Sequence, residues 1–236
     1  AQIAKQGVTG ARAILDGPVG FGEAMSNDVD WMKSSESLGS IYNITNITVK
    51  NHGCCGHSFP AIDAAIAIKK KYAITHEDIV SVKIGMAKPT VDICGGRSHQ
   101  TFFEGQFSLI FTVATAFIKE RVRLEAFTPQ ALVNPEVSAL AQKCQVYVDK
   151  QVDEAFPLKR MAHLTVQLRN NDVIDFMQET RKGAPDDPMT DEELEDKYFE
   201  LVSPVIEQST AQKLLDDIWR IDKCDNIQNL HIAKKC

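Results

Sequence analysis

Lys50, His52, Cys54, Cys55 and His57 crowd one short stretch, VKNHGCCGHS, from Val49 to Ser58. Three chemistries use such residues. As metal ligands they would need two spaced pairs that a fold then brings together. Here every candidate lies in a single loop with no second pair of matching spacing, so no metal is expected. As a redox pair, the adjacent Cys54 and Cys55 would have to close a strained ring. As a catalytic loop, the stretch offers a fixed positive charge on Lys50, and imidazole and thiol groups that titrate near neutrality. Gly53 and Gly56 would let the backbone approach a ligand, or would simply allow a tight solvated turn.

These residues need elements to hold them. ITNITVK, over 44–50, alternates like a strand, which puts Lys50 at a strand end. A helix is expected over 59–72, with Ser58 as N-cap and Pro60 in the first turn. The N-terminus of that helix has unpaired N–H groups and a partial positive charge, which suits carboxylates. IVSVKIGM, over 79–86, alternates as a strand. The irregular stretch after it carries Gly95, Gly96, Arg97 and His99, and the last two are candidates to contact a carboxylate. The run over 104–119 reads as one buried helix. Short helices are expected from Pro129 and over 135–143. QVYVDK, HLTVQL and VIDFMQE then read as strands, the last two joined by a hairpin turn at Arg169-Asn-Asn-Asp172. Thr190-Asp-Glu-Glu193 is a capping box, and Ser209 is expected to cap a last helix reaching Ile221.

The start of the chain, over 2–16, has helical periodicity but no capping residue. It is expected to continue a helix of a longer protein. The outline is α+β: residues 1–45 end the first part of a helical domain, 46–182 form an inserted α+β domain, and 183–236 return to the helical domain. The net charge of −6 and pI near 5.5 argue against nucleic acid, which calls for a basic face. No apolar run approaches the roughly 18 residues that span a bilayer, so no membrane partner is expected. The cysteines are scattered, with no CxxC pair, which is the pattern of reduced, intracellular thiols.

Longer stretches carry a resemblance. CCG…PAIDAAIAIKKKYAITHEDIVSVKIGM resembles the MmgE/PrpD family, and EGQFSLIFTVATAFIKERVRLEAFT, NPEVSALAQKCQVYVD and KGAPDDPMTDEELEDKYFELV follow in the family's order. GVTGARAILDGPVGF is similar to a helix late in the family's first domain. The resemblance implies a helical domain built from both chain ends, an inserted α+β lid, and an active site between them. It implies enzymes without metal or organic cofactor: 2-methylcitrate dehydratase, cis-aconitate decarboxylase and iminodisuccinate epimerase. Lys50 matches the family's loop lysine, which faces substrate carboxylates, and Cys55 falls where members carry Cys or His. There are departures: His52-Gly53 stands where aromatic-Pro is common, Phe59 stands at a usual His, and His57 sits two positions earlier.

The expected protein is therefore a lyase of small di- or tricarboxylates, foremost a 2-methylcitrate dehydratase-like hydro-lyase. Decarboxylase and epimerase chemistry are alternatives, as is a non-catalytic relative that serves assembly. Lys50 and His57 are the catalytic candidates, with Cys55, His52, Arg97 and His99 lining the substrate. The partners implied are the carboxylate, an N-terminal helical half and a second copy in a homodimer. The compartment implied is the cytoplasm, or the mitochondrial matrix in a eukaryote.

Overall fold

A computed structural model of the chain describes residues 2–226, so most of the polar tail after Lys223 lies outside the described residues. The chain forms two compact units, 1–46 and 47–236.

The first unit is mostly turns. Helix spans only Gln2–Lys5, Phe21–Met25 and Lys33–Glu36. The helix expected over 2–16 stops early because Gly7 takes a φ of +86° and turns its N–H back to Ala4 O. Periodicity continued past this point, but the backbone did not. The strand expected over 44–50 is also absent. Asn43–Asn46 is a 3₁₀ turn. In the second unit, Val49 makes a backbone bond to Gly183 O instead of joining a ladder.

The second unit is an α+β sandwich. Four strands pair in the order β2-β1-β3-β4: β1 is Ile79–Met86, β2 Cys144–Val148, β3 Ala162–Leu168 and β4 Val173–Gln178. β1 and β2 run parallel, while β1–β3 and β3–β4 are antiparallel. In β3, Ala162, Leu164, Val166 and Leu168 alternate inward, as a half-buried strand must. Helices Phe59–Tyr72 and Leu109–Lys119 cover that face. Their Phe59, Ile62, Ile68, Phe111 and Phe117 meet Ile84 and Leu164 in one core. Fully burying each such side chain contributes about 1.5–3 kcal/mol.

Two expected boundaries shift for local reasons. The single helix over 104–119 is two. Thr101 and Glu104 form a capping box that starts Phe102–Phe107. Ser108 then turns extended, with its hydroxyl donating to Arg97 O at 2.9 Å, and the chain restarts at Leu109. The last helix spans Gln208–Trp219 with Glu207 at its N-cap position, so Ser209 lies inside the first turn and does not cap it. The Thr190–Glu193 capping box does start Asp191–Val202. Arg123 holds that helix to the unit through Asp196 at 2.7 Å and Glu200 at 2.9 Å.

Candidate active site

Residues 47–58 form the loop that leads into the 59–72 helix, and that loop is fastened at several points. Val49 is bonded to Gly183 O, Gly53 N–H to Val122 O and Cys55 N–H to Gln106 O. Lys197 Nζ, from the 191–202 helix, donates to Lys50 O at 2.6 Å. Ser58 is not the expected side-chain cap. It is already helical, and a 3₁₀ turn over Gly56–Ser58 prefixes the helix.

Lys50 is exposed and its Nζ reaches back to Cys54 O at 3.4 Å. Its charge is felt by both Cys54 and Cys55. The two adjacent thiols diverge. Cys54 is buried, and burial pushes its pKa far up, so it is an inert thiol. Cys55 is half-buried. The Cys94 thiol donates to its sulfur, which outweighs desolvation, and the His57 N–H and the Lys50 charge add to it. Its pKa falls below the ordinary thiol range, while that of Cys94 rises in exchange. Among the described residues the cysteines are free, and no group of three His, Cys, Asp or Glu side chains is placed to hold a metal.

His57 stands next to this thiol. Its Nδ1 shares a 3.2 Å hydrogen bond with Thr90 Oγ1, and its ring stacks on Phe156 at 6.1 Å. Desolvation, then Arg160 and Arg181, depress its pKa, which favours the neutral ring. With Nδ1 held by Thr90, Nε2 is the atom left for a reacting group.

The other sequence candidates lie apart from this pair. His52 is 4% exposed; its Nε2 meets Asp63 Oδ1 at 2.9 Å and its ring packs edge-on to Phe59. That makes it a strut of the loop rather than a group open to substrate. Arg97 turns its Nε onto Ile93 O, four residues back on its own chain, and His99 stacks on Phe111 at 4.9 Å. No contact among the described residues joins either to His57.

Two arginines absent from the sequence reading are present. Arg160 lies 4.2 Å above the Phe156 ring. Arg181 donates through Nη2 to Thr48 Oγ1 at 2.8 Å, and its Nη1 stands 3.8 Å from where a β-carbon on Gly56 would be. The signal that finds them is the hairpin. Ala162 pairs with Gln178, so the residues just before β3 and just after β4 emerge at one end of the sheet.

A larger cleft, of about 740 Å³, opens between the 59–72 and 191–202 helices. Of the cations that line it, Lys182 is paired to Glu193 at 3.2 Å and Arg123 to Asp196 and Glu200.

Sequence comparison relates the chain to known proteins. The MmgE/PrpD C-terminal domain matches residues 52–221. The cis-aconitate decarboxylase-like protein oryM of Aspergillus oryzae is 22% identical over 245 residues, covering 98% of this chain. The chain spans about half, 50%, of the length of that relative. The match runs from His52 in the candidate loop through the sheet and the last helices, and on that ground the chain belongs to the MmgE/PrpD family.

Proposed function

We propose that this chain supplies part of the active site of a lyase acting on a small di- or tricarboxylate. The observation that carries the reading is one loop that presents Lys50, a low-pKa Cys55 and a neutral His57 together. Lyases of this class pass through negative charge next to a carboxylate. They need a cation where that charge grows and a group that moves a proton beside it. Lys50 is the fixed cation. His57, through Nε2, exchanges the proton. Cys55 lines the site as a second proton acceptor.

Two reactions use the same parts. In dehydration of a 2-methylcitrate-like substrate, a base takes the proton α to a carboxylate and hydroxide departs protonated. In decarboxylation of cis-aconitate, CO₂ leaves and the resulting carbanion takes a proton. The family resemblance puts the dehydratase foremost, and the name of the Aspergillus relative favours the decarboxylase. Turnover assays on the full-length protein separate them. Water loss from 2-methylcitrate supports the first and CO₂ release from cis-aconitate the second. No turnover of either, with stable oligomers, would leave an assembly role.

A further inference from the structure

Arg160 and His57 share the Phe156 ring, and the charges of Arg160 and Arg181 both act on His57. Asp186 is near enough to act on Arg181, but no carboxylate among the described residues lies within ion-pair distance of either arginine. Arg160 covers the Phe156 ring at 4.2 Å and His57 stacks on it at 6.1 Å. Arg181 reaches the adjoining Gly56 backbone, 3.8 Å from its β-carbon position. Neither arginine forms an ion pair among the described residues. Arg181 Nε is buried and has no hydrogen-bond partner. Several other cations of this unit are matched: Arg121 and Arg123 to Asp196 and Glu200, and Lys182 to Asp187 and Glu193. Two guanidiniums brought together repel each other, Asp186 offsets this at Arg181 without forming an ion pair, and an idle buried N–H is costly. An anion between them removes both penalties. A carboxylate fits the guanidinium fork, which offers paired N–H donors.

We infer that Arg160 and Arg181 form a clamp for a ligand carboxylate, with Arg160 laid on Phe156 and Arg181 tethered to Thr48. Resting on the lyase reading, this assigns Lys50 to the reacting carboxylate and the arginine pair to a second one. The pair would then select di- and tricarboxylates over monocarboxylates.

Calorimetric titration of the full-length protein tests the clamp. The probes are tricarballylate, a tricarboxylate with no hydroxyl or double bond to react, and butyrate, a monocarboxylate of similar chain length. The parent should bind tricarballylate at least about tenfold tighter than butyrate. R160Q and R181Q should each weaken tricarballylate by about ten- to a hundredfold, the scale of one lost charge-assisted hydrogen bond. R160Q without ligand should melt no lower than the parent, since it relieves repulsion. A purely structural pair gives the reverse: lower melting temperatures and unchanged affinity. R181K keeps the charge and serves if R181Q fails to fold; it should bind with intermediate affinity. Tricarballylate affinity unmoved in the variants, or no preference over butyrate in the parent, overturns the clamp. Turnover scores the lyase reading separately. Turnover with KM unmoved in both variants removes the clamp alone, and clamp-dependent binding without turnover removes the lyase alone.

Discussion

His52 and Asp63 are joined by a 2.9 Å bond from Nε2 to Oδ1, and the second carboxylate oxygen of Asp63 accepts the Lys182 N–H at 2.8 Å. One side chain on the 59–72 helix therefore fastens the Lys50 loop and the segment that carries Arg181. Asp63→Ala removes both acceptors and leaves the His52 ring nitrogen and the Lys182 N–H unmet. We expect a loss of about 1–3 kcal/mol, the cost of leaving a buried polar group unmet. Urea titration of the variant checks this. An unchanged midpoint would show that the bond does not hold the loop.

The second fastening is Gly183. It adopts a φ of +93°, and a β-carbon there would run into Val49 O. Left-handed backbone in a non-glycine residue costs of order 1–3 kcal/mol before any clash is counted. Gly183→Ala should therefore lower the melting temperature clearly and loosen residues 48–50. Hydrogen exchange at the Val49 amide, which donates to Gly183 O, reports it directly. Exchange as slow as in the parent would refute the prediction.

On the other face of the sheet, His163 sits between Asp149, 2.9 Å from Nδ1, and Asp175, 2.7 Å from Nε2. Burial opposes the charged ring, but the two carboxylates outweigh it and hold its pKa above 6.5. His163 in turn holds Asp175 below the usual carboxylate range. For Asp149, where desolvation pulls the other way, the bond to His163 is the leading cause of the fall. The raised histidine stabilises fully below its unfolded pKa, and that contribution fades as pH rises through the folded value. The depressed aspartates stabilise above their unfolded pKa, near 4, and lose that as pH falls. His163→Gln should therefore destabilise most near pH 5 and least near pH 9. Equal losses at both ends in a series of denaturant midpoints would contradict this.

Lys50→Met keeps the stem and removes the charge. The Lys50 side chain is exposed and bonds Cys54 O at 3.4 Å, while the bond from Lys197 goes to the Lys50 backbone and is kept, so folding should survive. Turnover by the full-length protein should fall about 30- to 1,000-fold, from the roughly 2–4 kcal/mol lost with one preorganised donor. A rate within about threefold of the parent takes Lys50 out of the site.

Much of the second unit was legible because its signals are local. β1, the β3–β4 hairpin and the Thr190 capping box each declare themselves within a few residues. Elements that depend on a distant partner, or on one residue's backbone, were not. No periodicity shows that 44–50 finds no strand to pair with, that Gly7 turns left-handed, or that Ser108 breaks a long apolar run. The site divides in the same way. Lys50, Cys55 and His57 share a loop and could be read together. Cys94 and Thr90 reach that loop from a distant segment, and Arg160 and Arg181 from the open end of the hairpin. His52 looked chemical by type, but its bond to Asp63 is a packing fact.

The bond from Arg181 to Thr48 spans 133 residues of sequence. The β3–β4 hairpin closes over a four-residue turn, and the parallel β1–β2 pair must wait for Val82 to meet Cys144. Loop closure grows costlier with the length enclosed, and non-local pairings are the slow ones. The Thr48–Arg181 and Val49–Gly183 links therefore form among the last contacts of this unit. A refolding chain would regain its sheet and helices first and its anion-binding corner afterwards, so recovery of ligand binding should trail recovery of secondary structure.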